Sequence, residues 1–121
     1  MKTAKDIMSP IIFATDPNLS ILDAAREMAI RNIGSLLIVE KGKAVGIVTE
    51  RDILKALGEG MDLSQPISKI MSKDLITAAP DDPLTTVKEK MIKANVRHLP
   101  VVDENGFPLG IISIRDVLAN L

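Results

Sequence analysis

The sequence predicts an α/β sandwich in which each half of the chain contributes a small β-sheet with helices packed against it. The main observation is an internal repeat: GIVTERDIL, starting at Gly46, recurs as GIISIRDVL, starting at Gly110. In both copies, short apolar β-branched runs alternate with segments that have the apolar period of a helix. The chain has 121 residues, so either half alone is too short to bury an adequate core. We therefore expect the two halves to fold together.

The repeat covers most of the chain and sets the predicted motif boundaries. The segment Ile7-Met8-Ser9 matches Ile70-Met71-Ser72, 63 positions later. After the Lys41-Gly42-Lys43 turn the spacing becomes 64, because the corresponding turn Asp103-Glu104-Asn105-Gly106 is one residue longer. Two similar halves packed face to face create symmetric crevices, and crevices are where small ligands bind. The first motif is predicted to span residues 1–60 and the second residues 61–121.

The first half begins with a strand and a helix. Residues Ile11 to Ala14 form a brief apolar run that Asp16-Pro17 stops. Ser20 and Asp23 have the spacing of a capping box, which predicts that a helix starts near Ile21. The predicted buried face of this helix consists of Ile21, Leu22, Ala25, Met28 and Ala29.

A hairpin and a short helix complete the first half. Apolar runs at Leu36–Val39 and Val45–Val48 flank the Lys41-Gly42-Lys43 turn. Residues Glu50 to Leu57 are predicted to form a helix that Gly58 closes. The linker to the second half is predicted at residues 59–64.

The second half repeats this plan with a different helix start. Asp82 is expected to cap the helix while Pro83 occupies its first position, where a missing N–H is harmless. The buried stripe of this helix is predicted to be Leu84, Val87, Met91 and Ile92. The remaining elements are predicted strands at Leu99–Val102 and Leu109–Ile112 and a final helix at Ile114–Leu121.

Composition limits the possible classes of function. Phe13 and Phe107 are the only aromatic residues, and 15 basic against 16 acidic side chains include no basic block, so nucleic acid is not an expected partner. No apolar run approaches the roughly 20 residues of a membrane span. The absence of cysteine excludes disulfides and thiolate metal sites. These features predict a soluble cytoplasmic protein without a membrane or metal partner.

The methionines indicate a homodimer. The predicted apolar stripes carry Met8, Met28, Met71 and Met91, and a body this small has limited interior in which to bury them. We expect part of the helical surface to be buried against a second copy of the chain.

One polar feature recurs in both halves, at the junction between a strand and the helix that follows it. Thr49 and Asp52 lie three residues apart at the first junction, and Ser113 and Asp116 occupy the second. A helix N-terminus attracts phosphate, and a carboxylate one turn away can accept hydrogen bonds from ribose hydroxyls. The same spacing also satisfies a helix start as a capping box, and spacing alone favours that local interpretation. Gly46, just before the first junction, allows the close approach of a ligand or of neighbouring backbone.

The sequence resembles a tandem pair of cystathionine β-synthase (CBS) domains, the Bateman module, over essentially its whole length. The resemblance implies a β-α-β-β-α motif in each half, an α/β (α+β) pair with pseudo-twofold symmetry, and frequently a disc-shaped dimer. It also implies adenosyl ligands, such as AMP, ADP, ATP or S-adenosylmethionine, in two clefts between the halves. The segments that carry it are Asp6–Ser9, Gly46–Asp52, Arg97–Asp103 and Gly110–Asp116.

The resemblance assigns roles to the junction residues. In that family the hydroxyl lies near phosphate and the aspartate binds ribose. This implies these roles for Thr49 and Asp52 in one cleft, and for Ser113 and Asp116 in the other.

The resemblance also implies that the two clefts differ. Arg97 and His98 match the position before the central strand from which the family often reaches phosphate, whereas the first half has Gly34 and Ser35 there. We expect anionic nucleotides to favour the cleft that Arg97 faces. As neighbours on a strand, Arg97 and His98 point to opposite sides, so only one reaches a given ligand. A lone histidine at a strand edge also has a surface or structural interpretation.

Three further residues complete the expected site. Thr77, which aligns with Ala14, is expected to line the adenine pocket through backbone groups. Arg51 and Arg115 are included among the predicted nucleotide-binding residues because they lie next to the aspartates. They form no repeated acid–base pair.

The sequence favours a binding protein over an enzyme. It contains no visible nucleophile, acid–base pair or metal cluster, and no carboxylate or hydroxyl recurs at a fixed spacing from its single histidine in the sequence. We therefore predict a stand-alone regulatory sensor that binds adenosyl nucleotides and acts on a separate, unidentified protein. The alternative is a nucleotide-free scaffold for dimerisation or protein interaction.

Overall fold

The computed structural model describes all 121 residues as a mixed α/β fold with two small sheets, which confirms the predicted fold class. The helices and strands, in chain order, are α1 (Ala4–Ile7), β1 (Ala14–Thr15), α2 (Ile21–Arg31), β2 (Ser35–Glu40), β3 (Lys43–Thr49), α3 (Glu50–Gly58), a 3-10 turn (Ile67–Lys69), α4 (Leu84–Ala94), β4 (His98–Val102), β5 (Pro108–Ser113) and α5 (Ile114–Asn120). None of the helices combines the length and apolarity needed to cross a membrane.

The chain forms two compact units that follow packing more than chain order. The repeat-1 unit contains residues 13–41 and 45–75, and the repeat-2 unit contains residues 1–12, 42–44 and 76–121. The first twelve residues therefore pack with the second repeat, and the segment after α3 packs with the first. The predicted motif boundaries, 1–60 and 61–121, describe the repeat in sequence and stay a prediction.

Residues 1–12, called the first leader, belong to the repeat-2 unit through a set of backbone hydrogen bonds. Ala4 N–H donates to the Asp82 carbonyl at 2.9 Å. Ser9 and Ile111 exchange two bonds, of 2.8 and 2.9 Å, as an antiparallel bridge. These bonds satisfy main-chain groups that short elements such as α1 leave unpaired.

The repeat-1 unit reproduces these bonds with the leader segment that precedes the second repeat. Ile67 N–H donates to the Leu19 carbonyl at 2.6 Å, and Ser72 and Ile47 exchange bonds of 3.0 and 3.3 Å. These four residues are the repeat equivalents of those in the repeat-2 unit. Each leader is thus bound by the repeat that it does not precede.

Two buried glycines permit this arrangement. A Cβ at Gly46 would lie 2.7 Å from Met71 Sδ and 3.0 Å from the Ser72 carbonyl oxygen. A Cβ at Gly110 would lie 2.6 Å from both the Met8 sulfur and the carbonyl oxygen of Ser9. The close approach at Gly46 is therefore made by neighbouring backbone and a methionine side chain, one of the two occupants that the sequence left open.

The sheets differ between the units. In the repeat-1 unit, β1 pairs in parallel with β2, with Ala14 opposite Leu37, and β2 neighbours β3. The strand predicted at Ile11–Ala14 starts later, at Ala14. In the repeat-2 unit, β4 and β5 are antiparallel, and the first strand is reduced to a single bridge between Ala78 and Val101.

The buried helix faces are narrower than the sequence predicted. In α2 the buried residues are Ile21, Ala24 and Met28, spaced three and four apart, whereas Leu22 is 39% exposed. The predicted face was displaced by one residue, so Ala25 is half-buried and Ala29 is exposed. In α4, Leu84, Val87 and Met91 are buried as predicted, but Ile92 is 65% exposed.

The methionines do not need a second chain to bury them. Met28 and Met91 are 5% and 1% exposed within their own units. Met8 and Met71 are half-buried and pack against the cores of the repeat-2 and repeat-1 units respectively. Burial of Met28 and Met91 within their own units therefore removes them as support for a dimer, and the homodimer stays a prediction.

Several helix ends differ from their predicted positions. Helix α4 starts at Leu84 with Pro83 as its N-cap residue, and the Asp82 carboxylate accepts from Ala79 N–H instead of from the helix. Helix α3 extends through Gly58, and the left-handed residue after it is Gly60, with φ of 70°.

Helices α2 and α4 end in the same way. Each is capped by an asparagine in the left-handed conformation, Asn32 or Asn95, with φ of 52° and 55°. Asparagine is among the few residues other than glycine that tolerate this geometry at a helix end. The left-handed asparagine at the end of α2 and of α4 is therefore another local feature that the two repeats share.

Candidate functional site

The first strand-to-helix junction joins β3 to α3 without an intervening loop. Thr49 has extended backbone and Glu50 is already helical. The Asp52 Oδ2 atom accepts from Thr49 N–H at 2.8 Å and from Thr49 Oγ1 at 3.1 Å. The capping interpretation is therefore realised here. Because both bonds reach the same carboxylate oxygen, Oδ1 can still accept a hydrogen bond from a ligand hydroxyl.

The second junction joins β5 to α5 with a different hydrogen bond. Ser113 has extended backbone, and its Oγ accepts from the backbone N–H of Asp116 at 3.2 Å. At the first junction a capping box adds bonds from Thr49 to the Asp52 carboxylate, whereas the second pair is joined only by the bond from the Asp116 N–H to the Ser113 hydroxyl. The two pairs are equivalent in sequence and distinct in their bonding.

A third Thr-x-x-Asp pair shows what capping alone looks like. Asp6 Oδ2 accepts from Thr3 N–H at 2.8 Å and from Thr3 Oγ1 at 3.0 Å, at the start of the four-residue helix α1. The Thr3 backbone N–H, followed by the Thr3 hydroxyl, lowers the pKa of Asp6 below its usual value. The bonds match those of Asp52, but Asp6 is exposed, whereas Asp52 is half-buried in the first turn of a helix that directly follows a strand. Position and burial, and not spacing, separate the two sites.

A backbone bond brings the segment before each central strand to its junction. Glu50 N–H donates to the Gly34 carbonyl at 3.1 Å, and Ile114 N–H donates to the Arg97 carbonyl at 2.8 Å. Gly34 therefore lies beside the Thr49–Asp52 pair, with Ser35 following at the start of β2.

The second junction brings together the other predicted residues of the repeat-2 unit. Arg97 is exposed beside the start of α5, and His98 is half-buried and lies opposite Ser113 in the β4–β5 register. Asp116 lies in the first turn of α5. The sequence predicted these positions as one set, and the structure places them at one end of the β4–β5 sheet.

Glu50 was not singled out by the sequence. A Cβ added at Gly34 would lie 2.5 Å from Glu50 Oε1, so the Glu50 carboxylate covers the space in front of Gly34. The repeat alignment pairs Glu50 with Ile114 and therefore contains the signal that this carboxylate is specific to the first junction.

Thr77 is held by a lysine that the sequence also did not single out. Lys90 Nζ donates to the Thr77 carbonyl at 3.0 Å and to Asp82 Oδ2 at 2.8 Å. Partial burial raises the pKa of Asp82, but hydrogen bonds from Lys90 and from Ala79 N–H outweigh it and bring the pKa below 3.8. The aligned position in the first repeat is Glu27, which pairs with a neighbouring arginine.

The two arginines beside the aspartates are exposed. Arg51 and Arg115 each occupy the second position of their helices. No group of three or more His, Cys, Asp or Glu side chains is arranged to hold a metal ion.

Comparison with known proteins identifies the repeat. The family model of the CBS domain matches residues 4–59 and 67–121. The chain belongs to the CBS domain family. Both matches begin within a leader, at Ala4 in α1 and at Ile67 in the 3-10 turn. Each CBS match therefore includes a leader that packs with the other repeat.

Two relatives of known structure are CBS domain proteins with adenosyl compounds bound. The CBS domain pair of protein MJ0100, in complex with 5′-methylthioadenosine and S-adenosyl-L-methionine, is 38% identical with a TM-score of 0.90, over 98% of this chain and 94% of that chain. The CBS domain protein PAE2072 from Pyrobaculum aerophilum, complexed with AMP, is 30% identical with a TM-score of 0.89, over 95% of this chain and 89% of that one.

Relatives in sequence differ in length. The CBS domain-containing protein YhcV of Bacillus subtilis is 34% identical over 99% of this chain and 86% of its own length. Other relatives are longer: the chain spans 65% of one that is 39% identical, a 17.7 kDa protein of Acidianus ambivalens. It spans only 22% of an L-aspartate semialdehyde sulfurtransferase of Methanocaldococcus jannaschii, at 40% identity. The match to this enzyme is therefore confined to a small part of it.

Proposed function

We propose that this CBS domain chain binds adenosyl nucleotides, AMP, ADP, ATP or S-adenosylmethionine, at its two strand-to-helix junctions and acts as a regulatory sensor on a separate protein. One observation carries the proposal. Both junctions keep the hydroxyl-x-x-Asp pair in a fold that matches CBS structures with AMP, 5′-methylthioadenosine and S-adenosylmethionine bound.

The aspartates supply the ribose contacts in this proposal. Asp52 offers Oδ1 to a ribose hydroxyl while Oδ2 remains bonded to Thr49. Asp116 takes the same role at the second junction, where its backbone N–H is bonded to Ser113. Ionised carboxylates accept stronger hydrogen bonds than neutral groups, which suits them to vicinal hydroxyls.

The remaining residues contact the base and the 5′ group. Thr49 and Ser113 place their hydroxyls toward the 5′ group, and Arg97 and His98 supply positive charge or donors for phosphate. Thr77 contacts adenine through its backbone, which Lys90 holds in place.

The first junction lacks the cationic pair: Gly34 and Ser35 stand where the second junction has Arg97 and His98. Arg51 and Arg115 flank the two aspartates.

Regulation requires a ligand that binds two conformations with different affinity, because only differential binding shifts an equilibrium. In this proposal the chain binds a ligand and changes conformation, and it catalyses no reaction. The activity of the sulfurtransferase relative is not carried over, since the chain spans only 22% of that enzyme.

Thermal denaturation with and without ligand tests this function. We expect AMP, ATP or S-adenosylmethionine to raise the unfolding midpoint saturably, by the equivalent of about 2.7 kcal/mol at a ligand concentration of 100 times the Kd. If none of the adenosyl compounds changes the midpoint, the sensor proposal is wrong.

We also propose that the chain forms a homodimer through its helices. Ile30 on α2 and Leu54 on α3 are 81% and 70% exposed in the repeat-1 unit, and Ile92 on α4 and Leu118 on α5 are 65% and 58% exposed in the repeat-2 unit. Exposed apolar side chains mark a protein contact surface where they form a contiguous patch. Light scattering at micromolar concentration should give twice the 13.1 kDa chain mass; a monomer mass would contradict the dimer.

The same exposed residues favour the second candidate function, a scaffold that assembles partners without a nucleotide. Silence toward all adenosyl compounds together with a dimer mass would support the scaffold. Saturable stabilisation would support the sensor.

A further inference from the structure

We propose that Glu50 makes the first junction select adenosyl ligands whose 5′ substituent is uncharged or cationic, such as a thioether or a sulfonium, and that the second junction takes the phosphate esters. This inference rests on the proposed function, because it assigns a ligand class to each of the two binding junctions. Its basis is a difference in charge at equivalent positions of the two repeats.

The main chain shows that the compared positions are equivalent. The bond from Glu50 N–H to the Gly34 carbonyl, 3.1 Å, is reproduced by the bond from Ile114 N–H to the Arg97 carbonyl, 2.8 Å. Gly34 and Arg97 are therefore in the same place relative to their helices. The two junctions therefore share this backbone and differ in the side chains attached to it, Gly34 against Arg97 and Glu50 against Ile114.

The side chains at these positions carry opposite charge. Arg97 extends a guanidinium from its position, whereas the space in front of Gly34 holds the Glu50 carboxylate, with Oε1 2.5 Å from the point where a side chain would start. At the second junction the residue equivalent to Glu50 is the apolar Ile114. A cation at one junction is thus replaced by an anion at the other.

The neighbouring charged residues do not cancel this difference. Arg51 and Arg115 occupy equivalent positions, as do Asp52 and Asp116, so these pairs contribute equally to both junctions. The first junction therefore has two carboxylates and one guanidinium, and the second has two guanidinium groups and one carboxylate. Among these six residues, the imbalance comes from Glu50 and Arg97.

The expected size of the effect follows from the exposure of Glu50. Glu50 is exposed, so water and salt weaken its field. For charges a few ångströms apart near a protein surface, one like charge near a phosphate corresponds to roughly a three- to tenfold loss of affinity. A neutral 5′ group is unaffected, and a sulfonium gains by a similar factor.

The test compares ligands that share adenosine and differ in the charge at the 5′ position. Asp116→Asn removes the proposed ribose contact at the second junction and so confines high-affinity binding to the first junction. Asp116→Ala removes the same contact and serves as a second version of this background. In this background, calorimetric titrations with 5′-methylthioadenosine and AMP are made with and without Glu50→Gln. We expect Glu50→Gln to raise AMP affinity about three- to tenfold and to leave 5′-methylthioadenosine within twofold, with the AMP effect shrinking in high salt.

Two further variants complete the design. Glu40→Gln removes the same charge from an exposed residue at the end of β2 and should leave both affinities unchanged. In an Asp52→Asn background, Arg97→Gln should weaken AMP at the second junction about three- to tenfold and spare 5′-methylthioadenosine. The two substitutions should thus change AMP affinity in opposite directions.

The outcomes separate this inference from the proposed function. An unchanged ratio of AMP to 5′-methylthioadenosine affinity after Glu50→Gln, in a protein that binds either compound, overturns the role of Glu50 alone. Tighter AMP than 5′-methylthioadenosine binding at the unmodified first junction also overturns it. If neither of these compounds, nor ADP, ATP or S-adenosylmethionine, binds the unmodified chain, the proposed function itself fails.

Discussion

The first and second junctions have the same main-chain framework and different side-chain bonding. In both, a backbone N–H at the start of the helix reaches the residue before the central strand, Gly34 or Arg97. The Asp52 carboxylate is bonded to Thr49 through two hydrogens, whereas the Asp116 main chain is bonded to the Ser113 hydroxyl. The repeat has kept the backbone bonds that assemble each junction, while the groups that a ligand would meet have diverged.

The shared framework depends most on the glycines beneath the leaders, and substituting them should give the largest effects. Gly110→Ala places a Cβ 2.6 Å from the backbone oxygen of Ser9, which cannot move without the leader, whereas the equivalent distance at Gly46 is 3.0 Å. We expect Gly110→Ala to lower the free energy of unfolding by about 3 kcal/mol and Gly46→Ala by about 1–2 kcal/mol. Urea denaturation measures both.

Gly58→Ala is the matched control for these substitutions. Nothing lies within 4 Å of a Cβ at Gly58, the last residue of α3. Alanine should raise stability there by about 0.5 kcal/mol, because glycine is the poorer helix former. Equal effects at Gly58, Gly46 and Gly110 would show that the leaders do not pack as described.

The next largest effect separates ligand binding from capping. Asp52→Ala should cost about 1 kcal/mol of stability through the lost capping bonds, and it should lower affinity for AMP or S-adenosylmethionine at the first junction at least roughly tenfold. Asp6→Ala removes a matching pair of bonds at an exposed site and should leave ligand affinity unchanged. Calorimetry on both variants checks this. If the two variants alter affinity equally, Asp52 acts only as a cap.

The smallest effect concerns a contact found in the second repeat only. Asp82 has a pKa below 3.8 in the folded chain, so its carboxylate contributes stability that is present above pH 3.8 and is lost as the pH falls through the folded-state pKa. Asp82→Asn should therefore cost about 0.5–1 kcal/mol near neutral pH and much less in acid. Unfolding measured across pH tests this, and a cost independent of pH would contradict the ion pair with Lys90.

The sequence predicted what depends on local pattern. Helices α2 to α5, the hairpin strands and the position of both junctions follow from periodicity and from the repeat, whereas α1 and the 3-10 turn were not predicted. Most strand ends agree within two residues. The buried face of α2 was displaced by one residue, because the alanines at 24 and 25 leave the phase of a short helix weakly determined. The exposure of Ile92 has a different origin, since the phase of α4 was predicted correctly but the helical period alone does not fix the width of a buried face.

Contacts between segments distant in the chain could not be predicted. The close approach at Gly46 was expected, but its partner, the leader around Met71, comes from another part of the chain. The contact between Glu50 and Gly34 also joins residues sixteen positions apart. No local pattern marks either contact, because the fold and not the neighbouring sequence brings the partners together.

The most direct test of the account is a crystal structure of the chain grown with AMP and 5′-methylthioadenosine. The account predicts adenosyl density at both junctions, with ribose hydroxyls within hydrogen-bonding distance of the carboxylates of Asp52 and Asp116. Density that lies elsewhere, or both aspartates turned away from any bound ligand, would contradict it.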